Sequence, residues 1–187
     1  MKTSCLTAIL LLLTTGVPTP LYAALTHDNP AQQALENQGM AWLKQTRERP
    51  ETELSAFVSD GCSGGLSAGW QLLAEHSPRF RQRYGDQPPW EECCVAHDRI
   101  YWQGETENGY QLRKQADLAL RQCVIDEGEQ QAETLAPALE MNPEQVEDWF
   151  RQSAELMYVS VRLGGGPCSG LPWRWGFGWP HCTLPTP

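Results

Sequence analysis

Trp90-Glu91-Glu92-Cys93-Cys94-Val95-Ala96-His97-Asp98-Arg99-Ile100-Tyr101 is the stretch on which the reading of this chain turns, taken together with Asp117 and Cys123 further on. Read as a helix, it places residues four apart on one face. Cys93, His97 and Tyr101 then point one way, and Cys94 and Asp98 point a neighbouring way. The next helical run, from Gly109 to Asp126, carries Asp117, Leu120, Cys123 and Val124 on one side, and a short polar loop from Gly104 to Asn108 joins the two. Helices joined so closely are expected to pack antiparallel. A single register then sets Cys93 opposite Cys123 and His97 opposite Asp117, which allows a disulfide and a His–Asp hydrogen bond together.

The ends of the chain suggest where such a protein works. Met1-Lys2-Thr3-Ser4 precedes an apolar run from Cys5 to Leu13 and a small-residue exit at Leu21-Tyr22-Ala23, the layout of a secretory signal peptide spanning residues 1–23. The run breaks at Thr14-Thr15-Gly16-Val17-Pro18, short of the roughly 20 apolar residues that a membrane span needs. Removal of this segment takes one of the seven cysteines, Cys5, and leaves an even number, as in an exported protein with a disulfide framework. The remaining 24–187 is long enough for one domain with a real core. Its formal charge becomes more negative than the −9 of the whole chain, because Lys2 leaves and no acid does. That balance disfavours nucleic acid and gives no long-range attraction to anionic lipid. The expected location is therefore secreted or periplasmic.

Outward from the central stretch, the chain reads as helical throughout. Asn29-Pro30 starts a helix that Pro50 ends, with Leu35, Trp42 and Leu43 on one face and no visible chemistry, so it reads as scaffold. Leu66, Trp70, Leu73 and Ala74 have the spacing of a short amphipathic helix. Ser77 to Gln87, with Arg79, Arg81 and Arg83, reads as a solvated basic loop. Glu129 to Glu140 reads as a short helix or loop interrupted at Pro137. Asn142-Pro143-Glu144-Gln145 is an N-terminal capping box, followed by the apolar stripe Val146, Trp149, Phe150 and Met157 of a long helix that ends at Gly164-Gly165. No strand-like alternation of any length occurs, and the fold class expected is all-α. In the tail, Trp173, Trp175, Phe177 and Trp179 sit among glycines and prolines. The rings either fold back onto the domain or are displayed to a lipid interface.

Cys93-Cys94-x-x-His97-Asp98-x-x-Tyr101, followed by Asp117 and, six residues later, Cys123, resembles the secreted phospholipase A2 superfamily. Upstream, the glycine-rich Asp60-Gly61-Cys62-Ser63-Gly64-Gly65-Leu66-Ser67 is similar to that family's calcium loop. The resemblance covers roughly residues 60–123. The short interval from His97 to Asp117 leaves no room for a β-hairpin insertion, so the likeness is to the compact all-helical bacterial and fungal members. Gly64 stands where the family loop usually has a cysteine, Ser67 where it has a glycine, and Ile100 where a cysteine is common.

The resemblance implies calcium-dependent hydrolysis of the sn-2 ester of glycerophospholipids at a membrane or micelle surface, with no obligate protein partner. His97 would be the base that activates water, Asp117 the carboxylate that orients it, and Tyr101 a support for Asp117. Asp98 and the carbonyls of Ser63, Gly65 and Ser67 would hold Ca2+, and the Gly65 N–H would assist the oxyanion. The same likeness supports Cys93–Cys123 and implies Cys62–Cys94, leaving Cys168–Cys182 to close a C-terminal loop. The chemistry agrees with these roles. A neutral imidazole can take a proton at one nitrogen while the other donates to a carboxylate, and calcium takes carboxylate and carbonyl oxygens. A His-Asp metal phosphohydrolase is disfavoured, since His27, His76 and His181 show no ligand spacing. The alternative from another class is a calcium- or lipid-binding protein that uses the same scaffold without turnover.

Overall fold

The computed structural model describes residues 29–59, 61 and 65–182, the side chains of Leu66 and Ala68 excepted. The segment read as a signal peptide, and Asp60, Cys62, Ser63 and Gly64 of the glycine-rich loop, lie outside the described residues. Those that are described form six α-helices and no strand: α1 (Pro30–Arg47), α2 (Gly65–His76), α3 (Pro78–Tyr84), α4 (Glu91–Gln103), α5 (Gly109–Leu139) and α6 (Pro143–Gly164). None is long and apolar enough to cross a membrane.

The helix starts follow from local chemistry. Asn29 caps α1 through its side chain, which accepts from the Ala31 amide, with Pro30 in the first turn. Ser77 caps α3 in the same way. Asn142 and Gln145 form a reciprocal capping box on α6, satisfying two amides that a helix start leaves bare. α4 ends at Gly104, whose φ of 57° is left-handed. A side chain there would also run into the backbone of Gly176, so glycine serves both the turn and the close approach of the tail.

Three segments differ from the sequence reading. The arginine-rich 77–87 stretch contains a short helix, α3, because Phe80 finds a buried place edge-on to Trp70, at 4.9 Å between centroids, while the charged positions stay outside. Pro137 does not interrupt a helix or mark a loop; it lies in the last turn of the 31-residue α5. There the one hydrogen bond it removes is near the end, and packing of Ala132, Leu135 and Ala136 into the core outweighs the loss. On α1, Leu35 faces solvent at 71% exposure and Trp42 is half-buried, while Glu36, Gly39, Met40, Leu43 and Thr46 form the buried face.

Two cores result. The larger joins α2, α3, α4, α5 and α6 around Trp90, a fully buried ring met edge-on by Trp70, Trp149 and Phe150. Burying such a ring is worth roughly 4–6 kcal/mol before entropy costs. It anchors the residue just ahead of α4. Along α5 and α6, Arg121 pairs with Glu155 and Arg113 bonds the Val161 carbonyl, and a Cβ at Gly128 would collide with Phe150. The smaller core gathers Met40, Leu43, Tyr101, Ala116 and Trp175. Cys93–Cys123 and Cys168–Cys182 are disulfides. Cys94 is disulfide-bonded as well, and its expected partner, Cys62, lies outside the described residues. Such cross-links belong to an oxidising compartment.

The tail packs more than it displays. The Gly176 and Gly178 amides donate to the Tyr101 and Trp102 carbonyls at 2.6 and 3.1 Å, and the Trp175 and Trp179 indoles donate to the Glu105 and Gln103 carbonyls, both at 2.9 Å. Helix α4 leaves its last carbonyls without intrahelical partners, and this loop supplies donors to that end. Trp173 is the exception, 42% exposed.

Candidate active site

His97 and Tyr101, one turn apart on α4, face α5. The imidazole is buried, with Nε2 2.9 Å from Asp117 Oδ1, and the Tyr101 hydroxyl donates to that same oxygen at 2.6 Å. The His97 and Tyr101 rings lie 4.1 Å apart and tilted by 33°, and Trp175 meets Tyr101 edge-on at 5.1 Å. Cys93, one turn before His97, is bonded to Cys123 on α5. As α4 advances from Cys93 to Tyr101, its partners on α5 step back from Cys123 through Asp117 to Arg113.

Asp98, the next residue along α4, serves a different space. Its Oδ1 is 3.8 Å from His97 Nδ1, and its Oδ2 accepts from the Ser59 hydroxyl at 2.6 Å. Ser59 Oγ in turn accepts from the Gly61 amide at 3.1 Å, and Gly61 has a left-handed φ of 64°. Asp98 also lines a groove of about 400 Å³ whose other walls are Ser55, Ala56, Val58, Pro172, Trp173 and Phe177. The His97 nitrogen not turned to Asp117 therefore faces the carboxylate at the groove.

The electrostatics follow from these neighbours. Burial alone would lower the His97 pKa, but hydrogen bonds and charge from Asp117 and Asp98 outweigh it and raise the imidazole above its ordinary value. Burial pushes Asp117 up, yet His97, Arg113 and Arg162 hold it below the usual carboxylate range. Burial, with the Asp117 charge behind it, drives the Tyr101 hydroxyl well above the ordinary phenol value. The pair is thus an ionised carboxylate against a basic imidazole, with a phenol that keeps its proton and donates it to Asp117.

Of the residues named for calcium, Asp98 has the chemistry of an anionic ligand at a groove wall. Gly65 opens α2 and Ser67 lies in its first turn, where backbone carbonyls accept from amides four residues on. The Ser67 hydroxyl accepts from the Trp90 indole at 3.2 Å. Both therefore stand at the start of a helix. Ser63 lies outside the described residues, and among the described ones no group of three or more His, Cys, Asp or Glu is placed to hold a metal ion by itself.

Sequence reasoning missed Ser59 and a set of buried charges: Glu36, Arg113 and Arg162. The signal for the charges was faint but present, since each falls on the apolar face of its helix, Glu36 with Met40 and Leu43, Arg113 with Ala116 and Leu120, Arg162 with Tyr158 and Val159. No family model, curated protein or solved structure matches the chain.

Proposed function

We propose that this chain is an exported phospholipase A2-type hydrolase that cleaves the sn-2 ester of glycerophospholipids with calcium bound. The observation that carries the reading is the buried His97–Asp117 contact of 2.9 Å, with the other imidazole nitrogen turned toward a groove-lining carboxylate. The stepwise contacts from Cys93–Cys123 to Tyr101–Arg113 support an antiparallel helix pair as its frame. The apolar wall of Val58, Trp173 and Phe177 suits an acyl chain. Disulfides and a signal-like N-terminus suit a periplasmic or extracellular site.

In this reading His97 Nδ1 takes a proton from water as the water oxygen bonds the ester carbonyl carbon. Nε2–H donates to Asp117, which fixes the tautomer and stabilises the imidazolium as it forms. Collapse of the tetrahedral intermediate breaks the bond to the sn-2 oxygen, and His97 returns the proton to that leaving alkoxide. The products are a fatty acid and a lysophospholipid, with no covalent acyl-enzyme. The Gly65 amide, first in α2, lacks an intrahelical acceptor and suits an oxyanion donor. Asp98 would hold the calcium ion, which when bound would supply positive charge for the ester carbonyl and the phosphate. Ser59 holds the other face of that carboxylate.

Adjacent residues divide the labour, which gives the test. His97→Gln should abolish fatty-acid release yet leave calorimetric calcium binding nearly intact, whereas Asp98→Lys should remove both. Undiminished hydrolysis in His97→Gln would falsify the mechanism.

A further inference from the structure

Among the described residues, a cluster of buried charges lies behind Asp117, at the oxygen not turned to His97, and spans three helices. Arg113, wholly buried on α5, forks onto Glu36 of α1, Nε to Oε2 at 3.0 Å and Nη2 to Oε1 at 2.7 Å. Arg162, on α6 and 4% exposed, donates from Nη2 to the same Glu36 Oε1 at 2.7 Å and from Nη1 to Asp117 Oδ2 at 2.9 Å. Arg113 Nη1 donates to the Tyr101 hydroxyl at 2.8 Å and to the Val161 carbonyl at 3.0 Å, and lies 3.5 Å from Asp117 Oδ2. The two oxygens of Asp117 are thereby divided: Oδ1 serves His97 and Tyr101, while Oδ2 is held by guanidinium.

We propose that Glu36 and Arg162 are positioning residues for the His97–Asp117 pair. Arg162 pins Oδ2, so Asp117 cannot rotate about its carboxyl bond and must present Oδ1 to the imidazole. A fork that meets both Glu36 and Asp117 fixes direction as well as distance, which a point charge does not. Glu36 acts one step further back. It holds both guanidiniums in place, and its charge completes a balanced set of two cations, Arg113 and Arg162, and two anions, Glu36 and Asp117. Neutralising Glu36 leaves an excess positive charge beside a pair that must accept a developing imidazolium, in surroundings where charge is weakly screened. Helix α1, which in sequence reads as scaffold, thus tunes the base from behind.

This inference rests on His97 being the base for its kinetic arm only; its spectroscopic arm needs no substrate. The full oxidised chain, labelled with ¹⁵N-histidine, is examined for the slowly exchanging imidazole N–H that disappears in His97→Gln. Glu36→Gln, Arg162→Met and Arg162→Lys are compared with Val146→Ala, a core truncation at the other end of α6. Positioning requires that the N–H signal shifts or is lost to exchange in Glu36→Gln and Arg162→Met. It also requires kcat to fall about ten- to a hundredfold with KM nearly unchanged, and Arg162→Lys to recover part of both. Val146→Ala should lower the Tm and move neither readout. An unmoved N–H in Glu36→Gln and Arg162→Lys overturns the proposal, whether or not Arg162→Met folds. A shifted N–H in a wild-type background that hydrolyses no phospholipid would instead leave the positioning standing and remove the phospholipase reading.

Discussion

Replacing Tyr101 by Phe removes one oxygen from the most crowded polar point of the site. The hydroxyl is buried, donates to Asp117 Oδ1 at 2.6 Å and accepts from Arg113 Nη1 at 2.8 Å. Neither partner is orphaned by the change. Asp117 Oδ1 keeps His97, and Arg113 Nη1 keeps the Val161 carbonyl at 3.0 Å. The cost is then a hydrogen bond to a charged group, about 1.5–3 kcal/mol, without the larger penalty of an unpaired buried charge. In a domain of this size each 1 kcal/mol lowers the Tm by about 2–4 °C, so a fall of roughly 3–12 °C is expected by calorimetry. Because His97 and Asp117 stay in contact, kcat should drop by no more than about tenfold, equivalent to roughly 1.4 kcal/mol of the barrier. A kcat loss beyond about a thousandfold at saturating phospholipid would show that the hydroxyl touches the reaction itself. A Tm equal to wild type would show that the hydrogen bonds do not form in solution. Either result would refute the supporting role.

Four other perturbations test separate parts of the account. Replacing Trp173 and Val58 by Ser removes apolar surface from the groove wall, where Val58 is 72% exposed, and should lower hydrolysis of vesicles while sparing a monomeric short-chain ester; equal losses on both substrates would count against a lipid-facing groove. Replacing Cys93 and Cys123 together by Ser opens a 30-residue loop and should cost about 3–4 kcal/mol in guanidinium unfolding, with little cost arguing that the helices hold their register unaided. In chelator, the raised His97 pKa contributes stability that is fully present below about pH 6.5 and lost as pH rises through the folded value, so the Tm gap between wild type and His97→Gln should narrow from pH 6 to 9. The lowered Asp117 pKa acts in the opposite sense: its contribution is present above about pH 3.9 and lost as pH falls through the folded value, so the gap to Asp117→Asn should narrow in acid. A gap that widens in either window contradicts the assigned charges.

The parts of the fold that sequence made legible are those governed by period. A spacing of four on α4 and six between Asp117 and Cys123 places Cys93 near Cys123 and His97 near Asp117, because a helix is a ruler. The capping residues Asn29 and Asn142 were readable for a similar reason, each having a defined local bond to make. Helix length at Pro137 was not readable, since the cost of a proline depends on how many turns follow it. The tail carries no period at all. Its seat on the end of α4 is set by carbonyls that wait there and by two glycines whose amides reach them. Glu36, Arg113 and Arg162 escaped the sequence reading because each is legible only through the others, and they lie on three helices far apart in sequence. Ser59 was hidden for the same reason, being joined to Asp98 across 39 positions.

The central claim is best tested on the wild-type protein, oxidised and incubated with phosphatidylglycerol or phosphatidylcholine vesicles whose sn-1 and sn-2 fatty acids differ in mass, in calcium and in chelator. The account expects the sn-2 fatty acid and the matching lysophospholipid to appear in calcium and neither to appear in chelator. Vesicles that bind the protein in calcium yet release no fatty acid from either position would contradict it, and would make the chain a binding module.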